Sequence, residues 1–299
     1  MITRRNFIQQ AGMFATGLMI APSILSCQSL GGRKRRIGLQ LYSLRNEIGK
    51  DVRGVISKVA AAGYQDVETY GYSLEGKFWG MTPKEFKAFL QSYNLTSYSG
   101  HYGAHEFFSR DKDIKSARFY IDAVTEMGQT YLTVPYMDSK IIQNIADYRH
   151  VAGKLNKLGT MCKSAGIKLA YHNHDFEFKN MDQGKSFFDV LLAETDPSLV
   201  DFELDLYWVV RAGKDPVDYF KQHPGRFTMW HVKDMDKADN SLNTEIGTGL
   251  VDFKKIFNNA EVSGLKQVYV EQENFKIDPY ESISKSMIYV KDMKFDIIK

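Results

Sequence analysis

The residues able to do chemistry gather in a few short stretches. They are His172-Asn173-His174 with Asp175 and Glu177 close behind, Glu203-Leu204-Asp205, His231-Val232-Lys233-Asp234 and Glu271-Gln272-Glu273, joined by Glu68 and His101. Four of the seven histidines fall in them. A lone histidine or carboxylate usually serves as a hydrogen-bonding or ion-paired residue, but a gathered set is different. Asp205 and Glu271, brought together out of water, would raise each other's pKa unless a cation lay between them. A divalent metal supplies that charge. With His231 they make a mixed nitrogen and oxygen set suited to Mn, Co, Zn or Mg, and no thiolate stands near to favour a soft metal.

Each stretch closes a short apolar, β-rich run, and each run is followed by a segment of helical period. Strands are expected at 37–42, 66–70, 96–101, 131–134, 167–172, 200–206, 227–232 and 267–271. Helices are expected at 52–62, 82–93, 114–127, 148–164, 186–194, 216–222, 253–259 and 280–293, with Gly63, Gly128 and Gly166 as stops and Pro83 in a first turn. Strict alternation implies parallel strands with right-handed crossovers. Eight such units predict an α/β chain of one domain, a (β/α)₈ TIM barrel over 37–299. An open doubly wound sheet is the alternative, but no Gly-x-Gly-x-x-Gly turn follows the first strand. In a barrel the strand C-termini converge on one face and sites are built there, which is where the chemistry-bearing residues lie.

The beginning of the chain speaks to its address. Arg4-Arg5-Asn6-Phe7 precedes an apolar run to Leu25, then Ser26-Cys27. A basic start, a short apolar run and small residues describe an export signal, and the paired arginines look like the twin-arginine type. Ile24-Leu25-Ser26-Cys27 resembles a lipobox whose cysteine carries a lipid anchor, although Leu25 is bulky for its place; the plain alternative is a cleaved signal with Cys27 incidental. The expected order is a signal over 1–27, a basic tether over 28–36 and the barrel, in an exported protein that is periplasmic or membrane-anchored. The net charge of +3 includes Arg4 and Arg5, so the mature chain is nearly neutral and no nucleic-acid partner is expected. Only Cys162 would remain, read as a structural thiol.

At Tyr171-His172-Asn173-His174-Asp175-Phe176-Glu177, Glu203-Leu204-Asp205-Leu206-Tyr207-Trp208, His231-Val232-Lys233-Asp234, Gly247-Thr248-Gly249 and Val270-Glu271 the chain resembles the sugar phosphate isomerase/epimerase family, the xylose isomerase-like TIM barrels. The resemblance runs from about Ile37 to the end. It implies a metal held from strands five to eight, which places Asp205, His231 and Glu271 on the last three positions. Where many members carry a strand-five glutamate, this chain carries His172, so the implied set is His172, Asp205, His231 and Glu271. Many epimerases use that glutamate as an acid/base, so its replacement argues against two-base epimerisation. The histidine-rich strand five looks more like the branch of inosose dehydratases and 3-keto-glucoside lyases or hydratases.

The expected reaction is proton removal next to the carbonyl of a keto-sugar, with the metal as Lewis acid. A base of suitable pKa is required, and His174, His101 and Glu273 are the candidates. Lys233 would neutralise an oxyanion or bind a hydroxyl; its alternative is an ion pair with Asp234 or Asp236. Trp208, Tyr42 and Tyr70 would line the pocket, and Glu68 would orient a ligand. Gly247-Thr248-Gly249 lies where phosphate-binding barrels take phosphate, with a plain turn as the other reading. Rival readings are a keto-sugar epimerase or aldose–ketose isomerase and, outside catalysis, a sugar-binding lipoprotein.

Overall fold

The computed structural model describes residues 36–109, 114–138, 140–179 and 181–293. The signal, the tether up to Arg35 and Cys27 lie outside the described residues. Eight parallel strands form one sheet: β1 (Ile37–Gln40), β2 (Asp66–Glu68), β3 (Ser99–His101), β4 (Tyr131–Val134), β5 (Lys168–His172), β6 (Val200–Asp205), β7 (Met229–Val232) and β8 (Gln267–Val270). Their order is β2-β1-β8-β7-β6-β5-β4-β3. The parallel bridges Asp66 to Thr96 and Thr69 to Gly100 join β2 to β3, so the sheet closes on itself. The open sheet is thereby set aside.

The helices between strands are α1 (Val52–Ala61), α2 (Pro83–Ser92), α3 (Lys115–Met127), α4 (Ile145–Ser164), α5 (Phe187–Glu194), α6 (Pro216–Gln222), α7 (Phe253–Phe257) and α8 (Pro279–Asp292). Their starts are chemically marked. Thr82 and Ser186 form capping boxes with Glu85 and Asp189, while Asp215 and Asp278 cap helices that open on proline. Several expected strands ran too long. The chain leaves β1 at Leu41 for a single 3₁₀ turn, and leaves β6 at Leu206 for a short helix, Leu206–Arg211. Apolar residues continue through both junctions, so periodicity alone could not locate them.

Two apolar layers hold the barrel. The larger fills the space between strands and helices; Cys162 belongs to it as a free, buried thiol. The smaller is Tyr131, Ala170, Met229 and Tyr269, four buried residues from β4, β5, β7 and β8. Gly38 lets the Tyr269 ring pass, because a Cβ there would lie 2.4 Å from it. Beyond this layer, toward the strand C-termini, the inward positions are polar.

Candidate active site and metal centre

Parallel register brings the polar residues together. Asp205 lies opposite His231, and His172 opposite Glu203. Asp205 also caps the helix Leu206–Arg211, so its Oδ1 accepts from the Trp208 amide at 3.0 Å. That bond fixes the carboxylate and turns Oδ2 inward, where it is buried with no hydrogen-bond partner among the described residues. Asn173 pins the same residue from β5: its Oδ1 accepts from the Asp205 amide at 3.0 Å. His231 Nδ1 stands 3.0 Å from Glu271 Oε2 and 3.9 Å from Asp205 Oδ2. One ligand atom from each of Asp205, His231 and Glu271 falls within 4.8 Å of the others. Burial and Glu271 push the Asp205 carboxyl up to about 7, despite Lys233 and His231 beside it. An orphaned buried oxygen among borderline nitrogen and oxygen donors fits a divalent cation.

A second group lies deeper. Glu203 Oε2 meets His101 Nε2 at 2.7 Å, His172 Nδ1 at 3.2 Å and His231 Nε2 at 3.2 Å. Glu68 Oε2 meets His231 Nε2 at 2.7 Å and His101 Nε2 at 3.3 Å, and Gln40 Nε2 donates to it at 2.7 Å. Glu68 therefore sits where it can orient His231, as its strand end suggested. His172 directs Nδ1 into this deeper group and Nε2 toward Asp205 Oδ2, 4.0 Å away. His101 is likewise committed to Glu203 and Glu68, which makes it a poor candidate for the base. Glu203 and Gln40 were given no role by the sequence. Period-two alternation along β6 puts Glu203 on the same inward face as Asp205, and that signal could have found it.

Lys233 is buried at the rim between three carboxylates. Its Nζ donates to Glu273, and lies 3.3 Å from Glu271 Oε2 and 3.8 Å from Asp205 Oδ2. Burial works against its charge, but these neighbours raise its pKa, so it is a permanent cation. The expected alternative of pairing with Asp234 or Asp236 is not what the fold builds, since Asp236 pairs with Lys276 at 2.6 Å. A cavity of about 270 Å³ opens over the group, lined by Tyr42, Tyr70, His101, Tyr136, His172, His174, Glu271 and Glu273 among others. That lies near the lower edge of the roughly 300–1,000 Å³ usual for small-molecule sites, so it suits one ring rather than a long chain. Trp208 is not among the lining residues: it packs on His174, with centroids 5.4 Å apart, and under Lys233, 5.0 Å from its ring. Burial and the nearby Lys233 press His174 down to about 3, so it is a neutral imidazole. Glu177 holds the loop carrying it, accepting from the His174 amide at 2.8 Å and the Tyr171 hydroxyl at 2.9 Å.

The glycine loop after β7 is already occupied. Asp234 Oδ2 accepts from the amides of Gly247 at 2.8 Å and Gly249 at 2.9 Å, and Oδ1 from those of Val251 at 3.1 Å and Met235 at 2.8 Å. A carboxylate of the chain itself takes the place a phosphate would need.

The family model for xylose isomerase-like TIM barrels matches residues 56–292. An inosose dehydratase of Clostridium perfringens is 27% identical over 271 residues, spanning 79% of this chain and 88% of its own. The crystal structure of a sugar phosphate isomerase/epimerase from Parabacteroides distasonis is 31% identical, with a TM-score of 0.78 over 89% of this chain and 97% of that one. A structure of the IolI protein with a zinc atom has a TM-score of 0.68 at 13% identity, over 86% of this chain and 97% of that one, a likeness of fold alone.

Proposed function

The chain belongs to the xylose isomerase-like TIM barrel family, and from that premise we propose that it removes the proton next to the carbonyl of an unphosphorylated keto-sugar and then loses or adds a group, an alcohol or water, at the neighbouring carbon. The relatives named inosose dehydratase and the isomerase/epimerase structures support an enzyme acting on sugars. Asp205, His231 and Glu271 would hold a divalent cation, with His172 Nε2 at their edge. When bound, that cation supplies Lewis acidity for a ketone and its neighbouring hydroxyl.

The remaining work falls to the chain. Glu273 takes the proton from the carbon next to the carbonyl, being the carboxylate of the lining that is outside the ligand group. Its position is set from two sides: Lys233 donates to its side chain, and Arg45 Nη2 donates to its carbonyl at 2.9 Å. Lys233 offsets the negative charge that develops on oxygen. His174, neutral with Nδ1 buried and unpartnered, accepts a hydrogen bond from a ring hydroxyl. The departing oxygen takes up the proton Glu273 removed and leaves as an alcohol from a keto-glycoside or as water from a free keto-sugar, so one base completes the cycle.

One observation carries elimination over epimerisation. Epimerisation needs groups on both faces of the carbon, one to remove the proton and one to return it. Where the family resemblance places the second carboxylate, this chain has His172, with Nδ1 turned down onto Glu203. The filled glycine loop supports a substrate without phosphate. The test is incubation of metal-loaded protein with a 3-keto-glucoside, followed by mass spectrometry. Release of the aglycone as its alcohol to leave an unsaturated keto-sugar, or addition of one water to that product, abolished by chelation, is expected. Interconversion of epimers without any change in mass would overturn the reading in favour of the epimerase.

Export belongs to the same proposal, supported by Arg4-Arg5 and the apolar run before Cys27. Mass analysis of the mature N-terminus tests it. An intact Met1 start would refute processing, and a cleaved Cys27 without lipid would refute the anchor.

A further inference from the structure

The deeper group has the makings of a second cation site. Glu68 and Glu203 are fully buried and come from β2 and β6, distant in sequence. Among the described residues, the buried Oε1 of each has no hydrogen-bond partner. Their Oε2 atoms face three histidine nitrogens at 2.7–3.3 Å. One ligand atom from each of His101, His172, Glu203 and His231 lies within 4.8 Å of the rest. Ligands at 2.0–2.2 Å around a tetrahedral zinc stand roughly 3–4 Å apart, so the group needs little rearrangement to close on an ion.

Charge makes the stronger case. Glu68, Glu203, Asp205 and Glu271 are buried, and Glu273 joins them through Lys233. A histidine that ligates a metal is neutral, so it cannot also act as counter-charge. Lys233 and one divalent ion offset three of these five carboxylates. That leaves Glu68 and Glu203 to be offset either by a protonated His101 or by a further cation, since uncompensated charge at such depth is costly.

We propose that a second divalent cation binds below the first, held by His101 Nε2, His172 Nδ1 and Glu203 Oε2, with Glu68 Oε2 beside His101 Nε2 at 3.3 Å. His231 keeps its Nε2 proton for Glu68, which leaves Nδ1 for the ion at the mouth. Access is through the cavity that His101 and His172 line. The charge count rests on the mouth site proposed above, so the experiment reads the two positions separately.

Crystals of protein loaded with cobalt(II) locate both by anomalous scattering. A peak bonded to His101, His172 and Glu203 is expected; none there overturns the second site, whatever the mouth shows. No peak at Asp205, His231 and Glu271 refutes the mouth site instead. In solution, cobalt content should be two ions per chain, falling to one in His101→Asn and to one in Glu271→Gln. One ion in the unaltered chain, unchanged by His101→Asn, overturns the proposal. Glu203→Gln serves if His101→Asn does not melt cooperatively, and the same fall to one ion is expected.

Discussion

Glu273 and Lys233 act as a pair at the residue scale. In the proposed reaction Glu273 would take the proton, and Lys233, which donates to it, would fix its position and answer the charge that follows. Glu273→Gln keeps the shape and the contact with Lys233 but cannot accept a proton. Its turnover is expected to fall by roughly 10²- to 10⁴-fold, the usual share of a positioned acid/base, with metal content unchanged by atomic emission. Equal turnover in Glu273→Gln would move the base to His174. Asp205→Ala and His231→Ala should lose metal and activity together, since each removes one of the three donors of the mouth group. Glu177 predicts a pH effect. Burial raises its carboxyl to about 8 against an ordinary 4.5. The folded state therefore prefers the protonated acid. That stability is complete below about 4.5 and is lost as the pH rises toward 8, by at most about 1.4 kcal/mol per pH unit. Thermal melts of Glu177→Gln against the unaltered chain should show the variant gaining relative stability across this range, and a constant difference would contradict it.

The strands and the loops beyond them decide which side chains meet. The loop after β7 is held by Asp234 through four amides. Asp234→Ala leaves buried donors unpaired, and a loss of about 2 kcal/mol is expected in denaturant titration. Gly249→Ala should be comparably harmful, because its Cβ would lie 2.2 Å from the Met235 carbonyl oxygen and 2.3 Å from Asp234 Oδ1. Tight binding of inorganic phosphate at that loop would contradict the account of it. Strand alternation made Asp205, His231 and Glu271 legible from sequence, because they end β-rich runs. It did not reveal that His172 turns one nitrogen to Glu203, since that depends on the pitch of neighbouring strands. Nor could it separate Trp208 from the cavity: the helix begun by Asp205 carries that ring behind His174, a consequence of a cap rather than of hydrophobic pattern.

On the scale of the whole molecule, alternation and closure were legible because each strand–helix unit buries its own apolar stripe. Eight parallel strands close through the bridges at Asp66 and Thr69, and the aromatic layer around Tyr131 and Tyr269 fills the interior beneath the site. The two polar groups are thus assembled from residues as far apart as Glu68 and Glu271, with no single segment holding them. The outcome is a ring of donors under a cavity the size of one sugar ring, with Glu273 in its lining. Proton removal beside a carbonyl is the chemistry proposed for this arrangement. The direct test is proton NMR of a 3-keto-glucoside in deuterated water with the metal-loaded protein. The account predicts that the hydrogen next to the carbonyl is lost with the unaltered chain and retained with Glu273→Gln. Retention of that hydrogen with both proteins would contradict it.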